Sequence, residues 1–160
     1  MYFMAIVAIA ALVAYLAYSI VLHRGVPTSI SQTVYDMRNK WTWTVVLGVE
    51  AWLIAPSLIE QTSENTKFLA FFTIVSIGVL AVSPLWMKER NTLHNVATIV
   101  ACVCSQLAIA LNAPHLLYVW IAFALLLPFK ACRLRWKFIA GLICTISVMA
   151  FCFSGVFICP

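Results

Sequence analysis

Apolar and polar positions segregate into long blocks along this chain. Six apolar runs, about 2–22, 42–59, 68–87, 95–112, 115–129 and 138–159, alternate with short polar gaps. A helix needs about 20 residues to cross a hydrocarbon core of about 30 Å, so each run is read as a transmembrane helix. The first, third, fourth and sixth runs meet that length, and the second nearly does. The fifth, His115 to Phe129, is short, and Pro128 weakens its end. A re-entrant hairpin made of the fourth and fifth runs is the alternative. The expectation is an all-α polytopic transmembrane helical bundle of six spans, forming a single integral membrane domain over residues 1–160.

The first gap carries a pattern of its own. Ile30, Val34, Met37 and Trp41 recur at helical spacing, and Ser29-Ile30-Ser31-Gln32 has the form of a capping box. Asp36 and Lys40 stand one turn apart and can pair. A short helix near 30–40 on the cytoplasmic interface is expected, or an N-terminal extension of the second span. Trp41, Trp43, Trp86 and Trp136 fall at headgroup level, where anchoring aromatics collect.

Composition makes a soluble fold untenable. Hydrophobic residues are 64% and charged residues 9% of the chain, against about 45–50% and about 25% in soluble domains. The net charge of +5 does not point to nucleic acid, because the basic residues sit in short loops beside the runs, where topology and anionic headgroups account for them. Of the ten Lys and Arg residues, Arg24, Arg38 and Lys40 lie in the first gap, Lys88 and Arg90 in the third, and Lys130, Arg133, Arg135 and Lys137 in the fifth. Only Lys67 falls in an even gap. Basic residues beside spans are retained on the cytoplasmic side. The pattern therefore predicts loops 23–40, 88–95 and 130–137 in the cytoplasm and both termini exported, as in a bacterial inner membrane protein. No Lys or Arg precedes the first run, so an uncleaved span is expected in place of a signal peptide. Most of the cysteines are read as small apolar side chains inside helices, and Cys159 as the one most open to oxidation.

Glu50 is the sharpest candidate for chemistry. It stands mid-way along the second run, nine residues beyond Trp41 and nine before Ile59. An acidic group at that depth costs about 2.5–3.5 kcal/mol on insertion scales, so it faces other helices or water. No Lys or Arg lies at its depth, which makes it a protonatable or cation-binding carboxyl. The structural reading is a protonated Glu hydrogen-bonded between helices. Ser57 and Gln61 follow on the same face. In the fourth run Asn91, Asn95, Thr98, Cys102, Ser105, Ile109 and Asn112 are spaced along one face, with His94 and Gln106 beside it. Gln106 is close to the depth of Glu50, and a hydrogen bond between the two is expected on depth alone. Polar candidates at the cytoplasmic edge are His23, Asp36, His94 and Asn95. His94 and His115 are placed at opposite edges, so no metal centre is expected. The sixth run aligns Gly141, Thr145, Val148, Cys152, Gly155 and Cys159 as a face of mostly small residues for close packing or homo-oligomerisation. Ser83-Pro84 predicts a kink at which Ser83 satisfies a freed carbonyl.

No phosphate-binding, dinucleotide-binding, zinc-protease or hydrolase-elbow motif occurs, and no cofactor is implied. The stretch Pro27-Thr28-Ser29-Ile30-Ser31-Gln32-Thr33 and the fourth-run opening Leu93-His94-Asn95 resemble the Frag/DRAM/Sfk-like set of six-helix membrane proteins. In that set an Ile-Ser follows the first span and a His lies near the start of a later one. The resemblance covers those stretches alone and implies no activity. Three function classes stand at this point: moving or sensing a small solute or ion through Glu50, an intramembrane lipid-modifying enzyme using His23, Asp36 and His94, and a structural or accessory subunit. The first is favoured and an enzyme is not. The partners expected are the lipid bilayer and, for transport, further copies of the chain.

Overall fold

The computed structural model describes residues 2–22, 25–30, 33–34, 39–86, 92–130, 132 and 135–154. Among them six α-helices occur: α1 (Tyr2–Leu22), α2 (Lys40–Gln61), α3 (Lys67–Trp86), α4 (Thr92–Asn112), α5 (Val119–Leu126) and α6 (Trp136–Ser154). Short 3-10 turns at Glu64–Thr66 and Pro114–Tyr118 lead into α3 and α5. No strand is present among the described residues. Four segments are long and apolar enough to cross a membrane: Lys40–Gln61, Glu64–Trp86, Thr92–Asn112 and Trp136–Ser154. The apolar stretches Ile6–Leu22 and Pro114–Leu126 are shorter.

Consecutive helices pack as neighbours, α1 on α2, α2 on α3 and α3 on α4, while α6 packs against α1, α2, α4 and α5. Helices α2, α3, α4 and α6 therefore close a ring. Two apolar clusters mark its ends. At one end Trp43 and Phe138 meet Leu12, Tyr15, Leu16 and Val34. At the other, Ile54 and Leu58 meet Ala8, Ala70, Ile109, Ala113, Val148, Met149, Phe151 and Cys152. The first is called the basic end below and the second the hairpin end. Ala113 lies at the hairpin end and Phe138 at the basic end. The chain between them thus returns along the bundle, although α5 has only 8 residues.

Burial follows the logic of a protein dissolved in lipid. Large apolar side chains such as Trp52 (79% exposed), Ile99 and Phe71 face outward, while Ser57, Thr73, Ser76, Ser105 and Ser147 are buried. Lipid tails are as apolar as Leu, so there is no gain from hiding large side chains. Small residues that let backbones approach take the interior instead.

Local chemistry fixes the helix ends and the backbone around Pro84. Asn39 caps α2, its Oδ1 accepting from the Trp41 amide at 3.1 Å. At the hairpin end Thr62 Oγ1 donates to the Leu58 carbonyl at 2.6 Å, and Lys67 pairs with Glu64. Pro84 lies inside α3 and has no N–H, so the Leu80 carbonyl loses its helical donor. Ser83 Oγ supplies one replacement at 3.2 Å, as its position beside the proline predicts. Trp43 Nε1 supplies a second at 3.1 Å. Trp43 is 3% exposed, so it is an interhelical pin and not a headgroup anchor. Trp41, Trp86 and Trp136 are exposed, as anchors require.

Most of the expected 30–40 interfacial helix lies outside the described residues. The part that is described turns into the bundle. Thr33 and Val34 are fully buried; Thr33 Oγ1 is 2.7 Å from the Tyr15 hydroxyl and donates to the Ile30 carbonyl. Ile30 lies against Gly141, where an added Cβ would meet Ile30 Cδ1 at 3.2 Å. At its basic end the small-residue face of α6 therefore seats a loop side chain.

Candidate functional site

Glu50 stands ten residues past Lys40 and eleven short of Gln61, which is about 15 Å from either end of α2. It is 5% exposed, and its Oε2 has no hydrogen-bond partner among the described residues. A buried polar atom without a partner costs about 1–3 kcal/mol, so it is a feature to be explained.

Contacts around the ring fix what lies level with it. Thr44 Oγ1 donates to the Ala81 carbonyl at 2.7 Å, and stepping six residues along each antiparallel helix sets Glu50 beside Val75. The Ser83–His94 bond at 2.9 Å and the Asn112–Thr66 bond at 3.1 Å register α3 with α4, carrying that level to Cys102 and Val103. Cys102 and Cys144 are neighbours across α4 and α6, carrying it to Cys144. Trp43 of α2 and Phe138 of α6 belong to one apolar cluster, which agrees with that alignment.

Thr73, Ser105 and Ser147 share one level, two to three residues from that of Glu50 toward the hairpin end, and all three are buried. Each donates its proton to its own helix: Thr73 to the Leu69 carbonyl at 2.8 Å, Ser105 to Cys102 at 3.0 Å and Ser147 to Ile143 at 2.8 Å. Their oxygens keep lone pairs as acceptors. Ser76, also buried, lies on the basic side of the layer. A carboxyl with three acceptor hydroxyls at nearly its depth can hold a proton or a cation.

The other sequence candidates fall in separate places. Ser57 is buried two turns nearer the hairpin end, and Gln61 is half-buried at the end of α2. Gln106 does not pair with Glu50. Its Oε1 accepts from Trp120 Nε1 at 2.8 Å, and its Nε2 has no partner among the described residues. The α5 indole claims the amide instead. Asn112 is a clamp at the hairpin end. Its Oδ1 accepts from the Ser63 amide at 2.9 Å, and its Nδ2 donates to Thr66 Oγ1 and, at 2.7 Å, to the Ala108 carbonyl.

His94, expected at a wetted edge, is 0% exposed and bonded to Ser83. Asn95 is exposed. The buried face of α4 runs through His94, Ala97, Ala101, Ser105, Ala108 and Ile109, about one residue around from the polar stripe read in the sequence. His23 and Asp36 lie outside the described residues, as do Asn91 and Cys159. Among the described residues no three His, Cys, Asp or Glu side chains converge on one point. Sequence reasoning missed Thr73 and Ser147, whose only signal is a hydroxyl within an apolar helix.

Comparison with known proteins finds no matching family model, no similar curated protein and no similar solved structure.

Proposed function

We propose that the chain crosses the membrane six times, with both termini exported, and moves or senses a small solute or ion through protonation of Glu50. The observation that carries this is the buried Glu50 carboxyl at mid-helix, with one oxygen unpartnered among the described residues. Intramembrane carboxyls are expensive and mark ion or proton pathways. The return of the chain from the hairpin end to the basic end before α6 supports an even number of crossings. The alternation of Lys and Arg between gaps supports the orientation.

Infrared difference spectroscopy of the purified protein in lipid tests the reading. A pH-dependent carboxylic C=O band is expected in the wild type and absent in Glu50→Gln. Proteoliposomes carrying an internal pH dye should show proton uptake under an imposed membrane potential, or a pH-dependent change in protease sensitivity where the role is sensing. Glu50→Gln should remove either response while retaining helicity by circular dichroism. Identical spectra and responses in the two proteins would overturn it.

A further inference from the structure

The layer around Glu50 contains more oxygen than a proton site needs. We infer that Glu50, Thr73, Ser105 and Ser147 form a binding site for a hard monovalent cation, for which Na⁺ is the probe. The inference rests on the reading of Glu50 as the functional carboxyl and adds the class of ligand.

Four observations lead there. Glu50 is 5% exposed with Oε2 unpartnered among the described residues. Three buried hydroxyls share one level close to it, on three different helices of the ring. All three have turned their protons onto their own backbones, so toward any ligand they act only as acceptors. The thiols near this depth, Cys102 and Cys144, are neighbours of each other across α4 and α6, and the four groups at issue offer oxygen alone.

Oxygen sets select hard cations over soft ones. Charge selects the valence: one carboxylate neutralises one positive charge, and a second, uncompensated charge in the hydrocarbon would be costly. A protonated carboxyl, by contrast, would donate to one acceptor, and Oε2 is bonded to none of these hydroxyls. An ion held among the four groups uses the carboxylate and all three lone pairs at once.

Thermal unfolding of the purified protein in lipid nanodiscs, at constant ionic strength, separates the cases. NaCl should raise the midpoint in a saturable manner relative to choline chloride, and low pH should weaken the effect because protons compete at Glu50. Thr73→Val, Ser105→Ala and Ser147→Ala are close in volume. Each should shift the Na⁺ concentration for half-effect upward by about tenfold, as is common for groups around a bound metal. Glu50→Gln should abolish the effect, and Ser19→Ala, at the basic end, should leave it unchanged. Equal midpoints in NaCl and choline chloride, with the Glu50 infrared band still titrating, would overturn the cation site and leave the proton reading intact. Wild-type Na⁺ dependence in all three hydroxyl variants would also overturn it. Loss of both the Na⁺ effect and the infrared band would overturn both readings.

Discussion

Replacing Trp43 by Phe should destabilise the bundle strongly only while Pro84 is present. Pro84 leaves the Leu80 carbonyl without its helical donor, and Trp43 Nε1 at 3.1 Å and Ser83 Oγ at 3.2 Å take its place. Trp43→Phe removes one of these bonds, worth about 0.6 kcal/mol on average and at most about 1.7 between membrane helices. It also thins the edge-on contact with Tyr15, whose ring centroid is 5.5 Å away, for about 1 kcal/mol more. The packing loss is the same whatever residue stands at 84. Pro84→Ala returns an N–H to the Leu80 carbonyl, so in that background only the packing loss remains. The predicted coupling between the two substitutions is therefore about 0.6–1.7 kcal/mol, with Trp43→Phe milder beside Ala. Unfolding of the four proteins of the cycle in mixed micelles with rising dodecyl sulfate, followed by far-ultraviolet circular dichroism, measures it. Additivity within about 0.3 kcal/mol would refute the account of Leu80 as a carbonyl shared between helices.

Asn112→Ala should cost about 1–2 kcal/mol in the same assay, because the Ser63 amide loses its side-chain acceptor and the Thr66 hydroxyl loses one of its three bonds. Asn112→Asp keeps the acceptor for Ser63 and should recover part of the loss; equal losses would contradict the clamp. Gly141→Leu should expel Ile30 and expose 25–34 to proteolysis, whereas Gly141→Ala, which needs Ile30 Cδ1 to yield only slightly from 3.2 Å, should leave cleavage unchanged. Membrane-permeant iodine should join Cys102 to Cys144 as an intramolecular disulfide, seen as the loss of two hydrogens in a linked α4–α6 peptide. If Cys104 were linked to Cys144 instead, the register of α4 on α6 would be wrong.

Four long apolar helices were legible because hydrophobicity over about 20 residues depends on no partner, and the mid-helix place of Glu50 was legible because it follows from counting along one helix. The bond from Ser83 to the carbonyl freed by Pro84 was readable for the same reason. What depended on a partner was misjudged. Trp43 shares its neighbourhood in the sequence with Trp41, yet Trp41 faces outward and Trp43 points into α3, a difference set by about 200° of helical rotation and by Pro84 some forty residues away. On α4 the polar residues suggested an inner face, but in lipid the inner face is chosen by size, and Ala97, Ala101 and Ala108 define it. Ile30 and Val34 form a stripe that suits a membrane surface as well as a bundle, and Gly141 decides between them by offering Ile30 a seat. Gln106 was matched to Glu50 on depth alone, but its amide is taken by Trp120 across the α4–α5 hairpin.

The hydroxyls beside Glu50 are hard to explain by packing. Serine and alanine differ little in volume, and threonine and valine less, so close approach in the ring would be served as well without them. Hydrogen bonding between helices does not account for them either, since Thr73, Ser105 and Ser147 each donate to a carbonyl of their own helix, which adds little to helix stability. What distinguishes them from alanine or valine in this setting is an acceptor oxygen, and all three lie within about one helical turn of the level of a carboxyl whose Oε2 has no partner among the described residues. Substituting them should therefore leave the dodecyl sulfate midpoint nearly unchanged in choline while altering it in Na⁺. A comparable loss in both salts would mean that the hydroxyls hold the helices together, and that Glu50 works without them.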